Sequence, residues 1–180
     1  MKKRQIILVP GILTKKSIIL KWQCWLSELF PEDEIKVIGE YYTYLEIDKM
    51  KKLKEELLNL IDNNKETILI GHSFGGIIIN SALNQSKKNK VKKVISIFAP
   101  NQMNLFGMKK RKEFLGYSSK LSSNIKTKSY GAYFDYVVPF FWTKLNNETH
   151  ENLFTDHYVQ LFYSKKFFNK LIKKGVEDDN

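Results

Sequence analysis

Ser73 lies at the centre of a G-x-S-x-G pattern, residues 71–75. A largely β-branched run, residues 67–70, precedes the pattern, and an apolar stretch, residues 76–79, follows it. Glycines two residues before and two residues after a serine suit a sharp turn from a strand into a helix, because the two elements cross closely there. Such a turn presents the serine hydroxyl in a cleft. We therefore predict that Ser73 is a nucleophile; the alternative is an ordinary glycine-rich loop without chemistry.

A serine hydroxyl is a weak nucleophile and needs a base within hydrogen-bonding reach. The chain contains three histidines. His72 lies inside the turn, where its side chain should point away from Ser73, and His150 lies just before the last predicted strand. His157 follows that strand, and the loops at the carboxyl ends of parallel strands gather at one edge of a sheet. These positions favour His157 as the general base.

The base in turn needs an acidic group that holds its tautomer, and Asp135 is the preferred candidate. Asp135 follows a predicted strand and lies between Ser73 and His157 in the chain, which gives the order Ser, Asp, His. Asp156 is the rival, but as the direct neighbour of the histidine it is poorly placed to face the imidazole Nδ1. For both aspartates the alternative is a role in a surface turn.

Two backbone N–H groups are expected to stabilise the negative oxygen of the transition state. One belongs to Phe74, the residue after the serine, and the other to the loop after the first strand, residues 10–13. Pro10 has no N–H, so Gly11 or Ile12 must donate. We favour Ile12, because Pro10 and Gly11 have the composition of a turn and the next amide would face inward.

Apolar runs and amphipathic stretches alternate along the chain, as expected for a parallel sheet with helices on both faces. The predicted strands are residues 5–9, 35–42, 67–70, 91–98, 126–133 and 151–154. The predicted helices are residues 18–29, capped by Ser17, residues 50–61, capped by Asp48, and residues 76–84 and 158–174. The predicted fold class is therefore α/β: a three-layer sandwich around a mostly parallel sheet of about six strands.

One domain is expected over residues 1–175, followed by a polar tail at 176–180. The irregular insertion at 101–124 mixes apolar residues with a basic run. Such a segment suits a small lid or a membrane-surface patch, and the alternative is a surface helix that packs its apolar side on the sheet.

Composition limits the classes of partner. The chain has 180 residues, of which 43% are hydrophobic, and a net charge of +11. The lysines are scattered without an arginine-rich stripe, which indicates a solvated surface rather than a nucleic-acid site. A single cysteine, Cys24, excludes an internal disulfide and fits the reducing cytoplasm. The first apolar run is read as a core strand rather than a signal peptide, and no run is long enough to span a membrane.

A family resemblance rests on four segments that occur in α/β-hydrolase order: residues 8–11, 71–76, 135–139 and 156–157. The chain resembles a small α/β hydrolase without a large cap domain. Residues 22–26, after the Val-Pro-Gly loop, are similar to the retinoblastoma-binding-protein-type serine hydrolases, and the minimal bacterial lipases and esterases are the other near neighbour in size. The resemblance implies a Ser-His-Asp hydrolase of carboxylic esters that needs no cofactor and no metal.

The substrate is expected to be a small-molecule ester with an apolar acyl group, because five aromatic residues lie beside the candidate residues in sequence: Phe74, Phe140, Phe141, Trp142 and Tyr158. The alternative is that these rings fill the core. A lipase, a thioesterase or an acyltransferase would use the same triad, and a binding protein on a hydrolase scaffold is the contrasting class. Weak contact with a membrane surface stays open, and the sequence predicts no oligomeric state.

Overall fold

Six strands form one fully parallel sheet in the computed structural model, which describes residues 4–39, 46–85, 90–102, 112–113, 115–118, 121–145 and 149–177. The strands are β1 Arg4–Val9, β2 Glu34–Val37, β3 Glu66–His72, β4 Val91–Ile97, β5 Lys126–Ala132 and β6 Thr149–Leu153. Their order across the sheet is β2-β1-β3-β4-β5-β6, and every neighbouring pair is parallel. All carboxyl ends therefore meet at one edge, which is called the carboxyl edge below.

Helices cover both faces of the sheet. They are α1 Lys16–Leu29, α2 Ile47–Leu60, α3 Phe74–Asn84, α4 Val159–Tyr163 and α5 Lys165–Glu177, with a short 3-10 helix at Phe140–Trp142. Side chains alternate between the two faces of a strand, so Ile6 and Leu8 of β1 enter one core and Ile7 and Val9 enter the other. Because both cores are apolar, the strands are hydrophobic along nearly their whole length. The predicted α/β sandwich is confirmed.

The two cores have different helical partners. Helices α1, α4 and α5 supply the first core, and helices α2 and α3 supply the second. Trp22 of α1 is completely buried and stacks at 5.8 Å on Phe168 of α5, which joins two helices far apart in sequence. Among the helices that the structure describes, none is long and apolar enough to cross a membrane.

Two helix predictions need correction at their ends. Helix α1 begins at Lys16, and the carbonyl of Lys15 accepts the N–H groups of Ile18 and Ile19, so Ser17 lies inside the helix and does not cap it. Asp48 likewise lies in the first turn of α2 rather than at its cap. Here the main chain sets the first residue of each helix, and residue types alone predict that position poorly.

The predicted last helix is two helices. Ser164 has extended backbone angles, and it separates α4 from α5 while its hydroxyl accepts the N–H of Phe167. Helix α5 continues to Glu177 with Val176 buried, so the helix includes residues 176 and 177 of the expected polar tail. Strand β6 also begins earlier than predicted and contains His150.

The insertion at 101–124 lies partly outside the described residues, and the question of a lid falls on that part. Leu115 is buried in the second core. The Lys112 ammonium donates to the carbonyl of Asn101 at 2.6 Å, and burial lowers the pKa of Lys112 to about 8. The Tyr117 hydroxyl donates to the same carbonyl at 3.0 Å. Leu115 thus packs into the second core, while Lys112 and Tyr117 bond to Asn101 at the start of the insertion.

Candidate active site

The turn at Ser73 joins β3 to α3 with strained backbone geometry. Ser73 has φ 51° and ψ −127°, a conformation that side-chain-bearing residues seldom adopt. Such strain costs of order 1–3 kcal/mol and persists only where the surroundings hold it. Here the Ser73 N–H donates to the carbonyl of Ile97 in the neighbouring strand at 2.8 Å. Helix α3 then begins at Phe74, two residues earlier than predicted.

Three glycines make the turn sterically possible. A Cβ atom on Gly75 would lie 2.0 Å from the carbonyl oxygen of Val9, and one on Gly71 would lie 2.6 Å from the Cα of Gly76. Neither contact can be relieved by a side chain, because each involves backbone atoms. The β3–α3 turn therefore sits directly on the end of β1, as the spacing of the glycines predicts.

The loop after β1 packs against the serine. A Cβ atom on Gly11 would lie 2.7 Å from the Cβ of Ser73, so the loop and the turn are in close contact. Ile12 follows at intermediate exposure, and Leu13 has a positive φ of 60°. Phe74 is the first residue of α3. The two predicted donors, Ile12 and Phe74, thus lie on the two segments that meet at Ser73.

His157 and Asp135 form a buried pair. The Nδ1 of His157 lies 2.5 Å from Oδ2 of Asp135, and the two side chains are 2% and 0% exposed. The other carboxylate oxygen accepts the N–H groups of Val137 at 2.8 Å and Val138 at 2.7 Å. The carboxylate is therefore fixed by its own loop and presents its remaining oxygen to the imidazole. The second ring nitrogen of His157, Nε2, has no hydrogen-bond partner among the described residues.

His72 connects this pair to the turn. Its ring centroid lies 5.2 Å from that of His157, and because His72 precedes Ser73 directly, the contact brings His157 beside the turn. The His72 ring also contacts Trp22 at 5.4 Å and Phe162 at 5.4 Å. Burial, with a smaller contribution from the charge of His157, lowers the pKa of His72 well below its ordinary value. His72 is therefore a neutral packing residue, as its position in the pattern predicts.

The rival candidates have other partners. The Oδ1 of Asp156 accepts the N–H groups of Tyr158 and Val159 and so caps α4. His150 lies inside β6, where its Nδ1 is 2.6 Å from the Ser129 hydroxyl and its Nε2 is 2.9 Å from Oδ1 of Asn152. The structure therefore brings together His157 and Asp135 and packs His157 against His72, the residue before Ser73. Within the described ranges, no group of three or more His, Cys, Asp and Glu side chains is arranged to hold a metal ion.

The aromatic residues near the site divide into two sets. Phe74 is buried in the second core, so it fills the core as the alternative proposed. Tyr158 lies 4.4 Å from the His157 ring, and the Phe140–Trp142 helix is partly exposed. Four further aromatics of the same loops are exposed and were not predicted from the sequence: Tyr133, Phe134, Tyr136 and Phe154. All four follow the end of β5 or β6 within four residues, which is the signal that could have identified them.

Two comparisons with known proteins found similar proteins. Residues 6–126 match the family model described as serine hydrolase. A YdeN-like hydrolase structure from Pectobacterium atrosepticum is 16% identical, with 95% of this chain and 91% of that chain covered and a TM-score of 0.63. A hydrolase of the α/β superfamily from Xanthomonas campestris is 14% identical, with 97% and 99% covered and a TM-score of 0.63.

A metagenomic carboxyl esterase is 13% identical, with 97% of this chain and 71% of that chain covered and a TM-score of 0.65. Identities this low show a shared fold and no more. No curated protein sequence matches the chain. The family model covers more than half of the chain. The chain therefore belongs to the serine hydrolase family and has the α/β-hydrolase fold.

Proposed function

We propose that this protein is a serine carboxylesterase that acts through a Ser73–His157–Asp135 triad and an acyl-enzyme intermediate. The observation that carries the proposal is the buried 2.5 Å contact between His157 and Asp135, with His157 packed against His72, the residue before Ser73. A carboxylate that holds Nδ1–H of an imidazole leaves Nε2 as a proton acceptor. The unpartnered Nε2 of His157 supports that role.

In the first half-reaction, Nε2 of His157 takes the hydroxyl proton as Oγ of Ser73 attacks the ester carbonyl carbon. The carbonyl π bond opens and its electron pair moves to oxygen. When the tetrahedral intermediate collapses, the bond to the leaving alkoxide breaks and His157 returns the proton to it as an alcohol. Asp135 orients the imidazole and stabilises its positive charge throughout.

The amides of Ile12 and Phe74 are the proposed donors to the negative oxygen. Support comes from the contact of Gly11 with Ser73, which holds the β1–α1 loop against the turn. Loss of one such donor typically costs about 3 kcal/mol of transition-state stabilisation. The strained φ of Leu13, next to Ile12, is consistent with a loop shaped for function rather than for stability.

In the second half-reaction, His157 takes a proton from water as the water oxygen attacks the acyl carbonyl carbon. The bond between that carbon and Oγ of Ser73 then breaks, His157 returns the proton to Oγ, and the carboxylic acid leaves. We propose a substrate with an apolar acyl group, because the Tyr158 ring lies 4.4 Å from the His157 ring and the partly exposed Phe140–Trp142 helix follows the Asp135 loop in the chain. The carboxyl esterase among the structural neighbours fits an ester substrate. Lipase, thioesterase and acyltransferase reactions would need the same three residues.

The proposed location is the cytoplasm. Cys24 is a free and exposed thiol, and a reducing compartment keeps such a thiol from forming disulfides between molecules.

The test is pre-steady-state hydrolysis of p-nitrophenyl butyrate. Wild-type protein should release a burst of nitrophenolate that approaches one equivalent per chain. Ser73→Ala should show no burst and a rate at least about a thousandfold lower, whereas Ser123→Ala, which changes an exposed serine, should behave as wild type. Hydrolysis retained by Ser73→Ala would contradict the proposal. A folded wild type inactive on a series of esters would favour a binding protein on the same scaffold.

A further inference from the structure

An exposed apolar surface surrounds the loops that carry Asp135 and His157. It consists of Tyr133, Phe134, Tyr136, Val137, Phe141 and Phe154, which we call the aromatic rim. Tyr136 is 94% exposed and Phe154 is 79% exposed. Single exposed aromatics are common on soluble proteins, but a contiguous group of them usually marks an interaction site.

Ring contacts join four residues of the rim, directly or through Phe140: Tyr133, Phe134, Phe141 and Phe154. The Tyr133 ring lies 4.8 Å from Phe154 and 5.0 Å from Phe140, and the Phe154 ring lies 6.3 Å from Phe134. Phe140 in turn contacts Phe141 at 5.6 Å.

The backbone beneath the rim is fixed. The N–H of Tyr133 donates to the carbonyl of Leu153 at 3.0 Å, and the N–H of Phe134 donates to the carbonyl of Thr155 at 3.1 Å. These bonds continue the pairing of β5 with β6 beyond the strand ends. The rim is thus preformed, so a partner need not order it.

The charges around the rim favour an anionic partner. The acids of the described loops already accept hydrogen bonds there: Asp135 from two amides, with His157 on its other oxygen, and Asp156 from the first turn of α4. Exposed Lys144 lies two residues after the Phe140–Trp142 helix. Exposed Lys15 and Lys16 follow β1 at the same carboxyl edge, where β3 and β4 lie between β1 and β5. The whole chain carries +11.

We infer that the aromatic rim docks on an anionic lipid surface. Tyrosine and phenylalanine rings enter the boundary between headgroups and acyl chains, while lysines attract the anionic headgroups. A soluble acidic protein could pair with the lysines, but it would not account for the exposed apolar rings of the rim. The consequence for catalysis rests on the proposed function: docking would present His157 and Ser73 to esters dissolved in the lipid.

The test is co-sedimentation with vesicles of phosphatidylcholine alone or mixed with phosphatidylglycerol, at low and at physiological salt. Wild type should bind the mixed vesicles, and salt should weaken the binding. The double variant Tyr136→Ser/Phe154→Ser should bind at least about tenfold more weakly. The matched control is Tyr163→Ser, because Tyr163 is 69% exposed but lies beside Lys21 of α1, and it should stay within about twofold of wild type.

Three results would overturn the inference. They are no binding of wild type to mixed vesicles, equal binding by the double variant and the Tyr163→Ser control, or a wild-type dimer in analytical ultracentrifugation that the double variant abolishes. The last result would assign the rim to a second copy of the chain. Ser73→Ala should bind vesicles as wild type does. Vesicle binding without ester hydrolysis would therefore remove the proposed function and leave the docking surface in place.

Discussion

The turn at Ser73 and the loops that carry Asp135 and His157 reach the same carboxyl edge by different physical means. The turn is held by its backbone: glycines lie in contact with main-chain atoms, and every residue of α3 from Phe74 to Leu83 is buried. The loops are held by side-chain hydrogen bonds, above all those of Asp135, and they carry the exposed aromatic rim. Tight packing of backbone atoms fixes the turn at Ser73, and polar contacts fix the loops that carry Asp135 and His157.

This difference determines what each region tolerates. An added methyl group should damage the turn, where no space exists, while an isosteric change of polarity should do little to its packing. In the loops the reverse holds, because a change of charge at constant shape removes what orients the imidazole. The following variants test this contrast.

Asp135→Asn should have the largest effect. The substitution keeps the size of the side chain and an acceptor for the amides of Val137 and Val138, but it removes the charge that stabilises the His157 imidazolium. We expect kcat/KM to fall by about 10⁴-fold with little loss of stability. Ester kinetics together with a thermal melt measure both quantities. A tenfold effect or less would mean that the carboxylate is not part of the machinery.

Gly75→Ala should disrupt the turn and destabilise the fold. The new Cβ atom would lie 2.0 Å from the Val9 carbonyl oxygen, and relief would require β1 and α3 to separate. We expect a loss of about 3 kcal/mol in the free energy of unfolding. Gly175→Ala is the matched control, because a Cβ atom there meets only methyl and methylene groups of Ile95, at 2.9 Å. Denaturant titration of both variants provides the measurement, and equal losses would refute the contrast.

His72 should make stability depend on pH. Because burial lowers its pKa in the folded protein below the ordinary value of 6.5, the unfolded chain binds the proton more readily. Stability is therefore fully present above 6.5 and is lost as the pH falls, by up to about 1.4 kcal/mol per pH unit for one proton. In His72→Leu, the free energy of unfolding should depend on pH less steeply, by the contribution of one proton. Urea titrations between about pH 7 and 5 measure it, and an unchanged slope in His72→Leu would exclude the explanation.

Asp156→Ala should have the smallest effect. Its Oδ1 caps α4 through Tyr158 and Val159 and has no contact with the His157 ring nitrogens. Loss of a cap costs about 1 kcal/mol, and the rate should stay within about tenfold of wild type. Paired kinetics of Asp135→Asn and Asp156→Ala compare the two acids directly. A larger loss of rate in Asp156→Ala would exchange their assigned roles.

The sequence was sufficient to predict the turn and the α/β layering because both depend on local signals. β-Branched residues before the glycines and apolar residues after them encode a strand and a helix within fourteen positions, 67–80. The preference for Asp135 and His157 came from chain order and elimination, and the structure brings these two side chains into contact. Their catalytic roles, like that of Ser73, stay predictions.

The features that sequence did not predict depend on contacts between distant residues. The break at Ser164 between α4 and α5 is one of them. The indole N–H of Trp22 donates to the carbonyl of Leu161 at 3.2 Å, across 139 positions, and a continuous helix would direct that carbonyl to its own backbone. The positive φ values of Leu13 and Phe98 are another, because neither residue type favours them.

The most direct test of the central claim is covalent labelling by a fluorophosphonate probe, with the modified residue located by mass spectrometry. The probe reacts with a serine only where a neighbouring base activates it. We predict one label per chain on Ser73 in wild type, and none in Ser73→Ala or in folded His157→Ala. Labelling that persists in His157→Ala, or a folded wild type that does not react, would contradict the assignment of Ser73 as a nucleophile activated by His157.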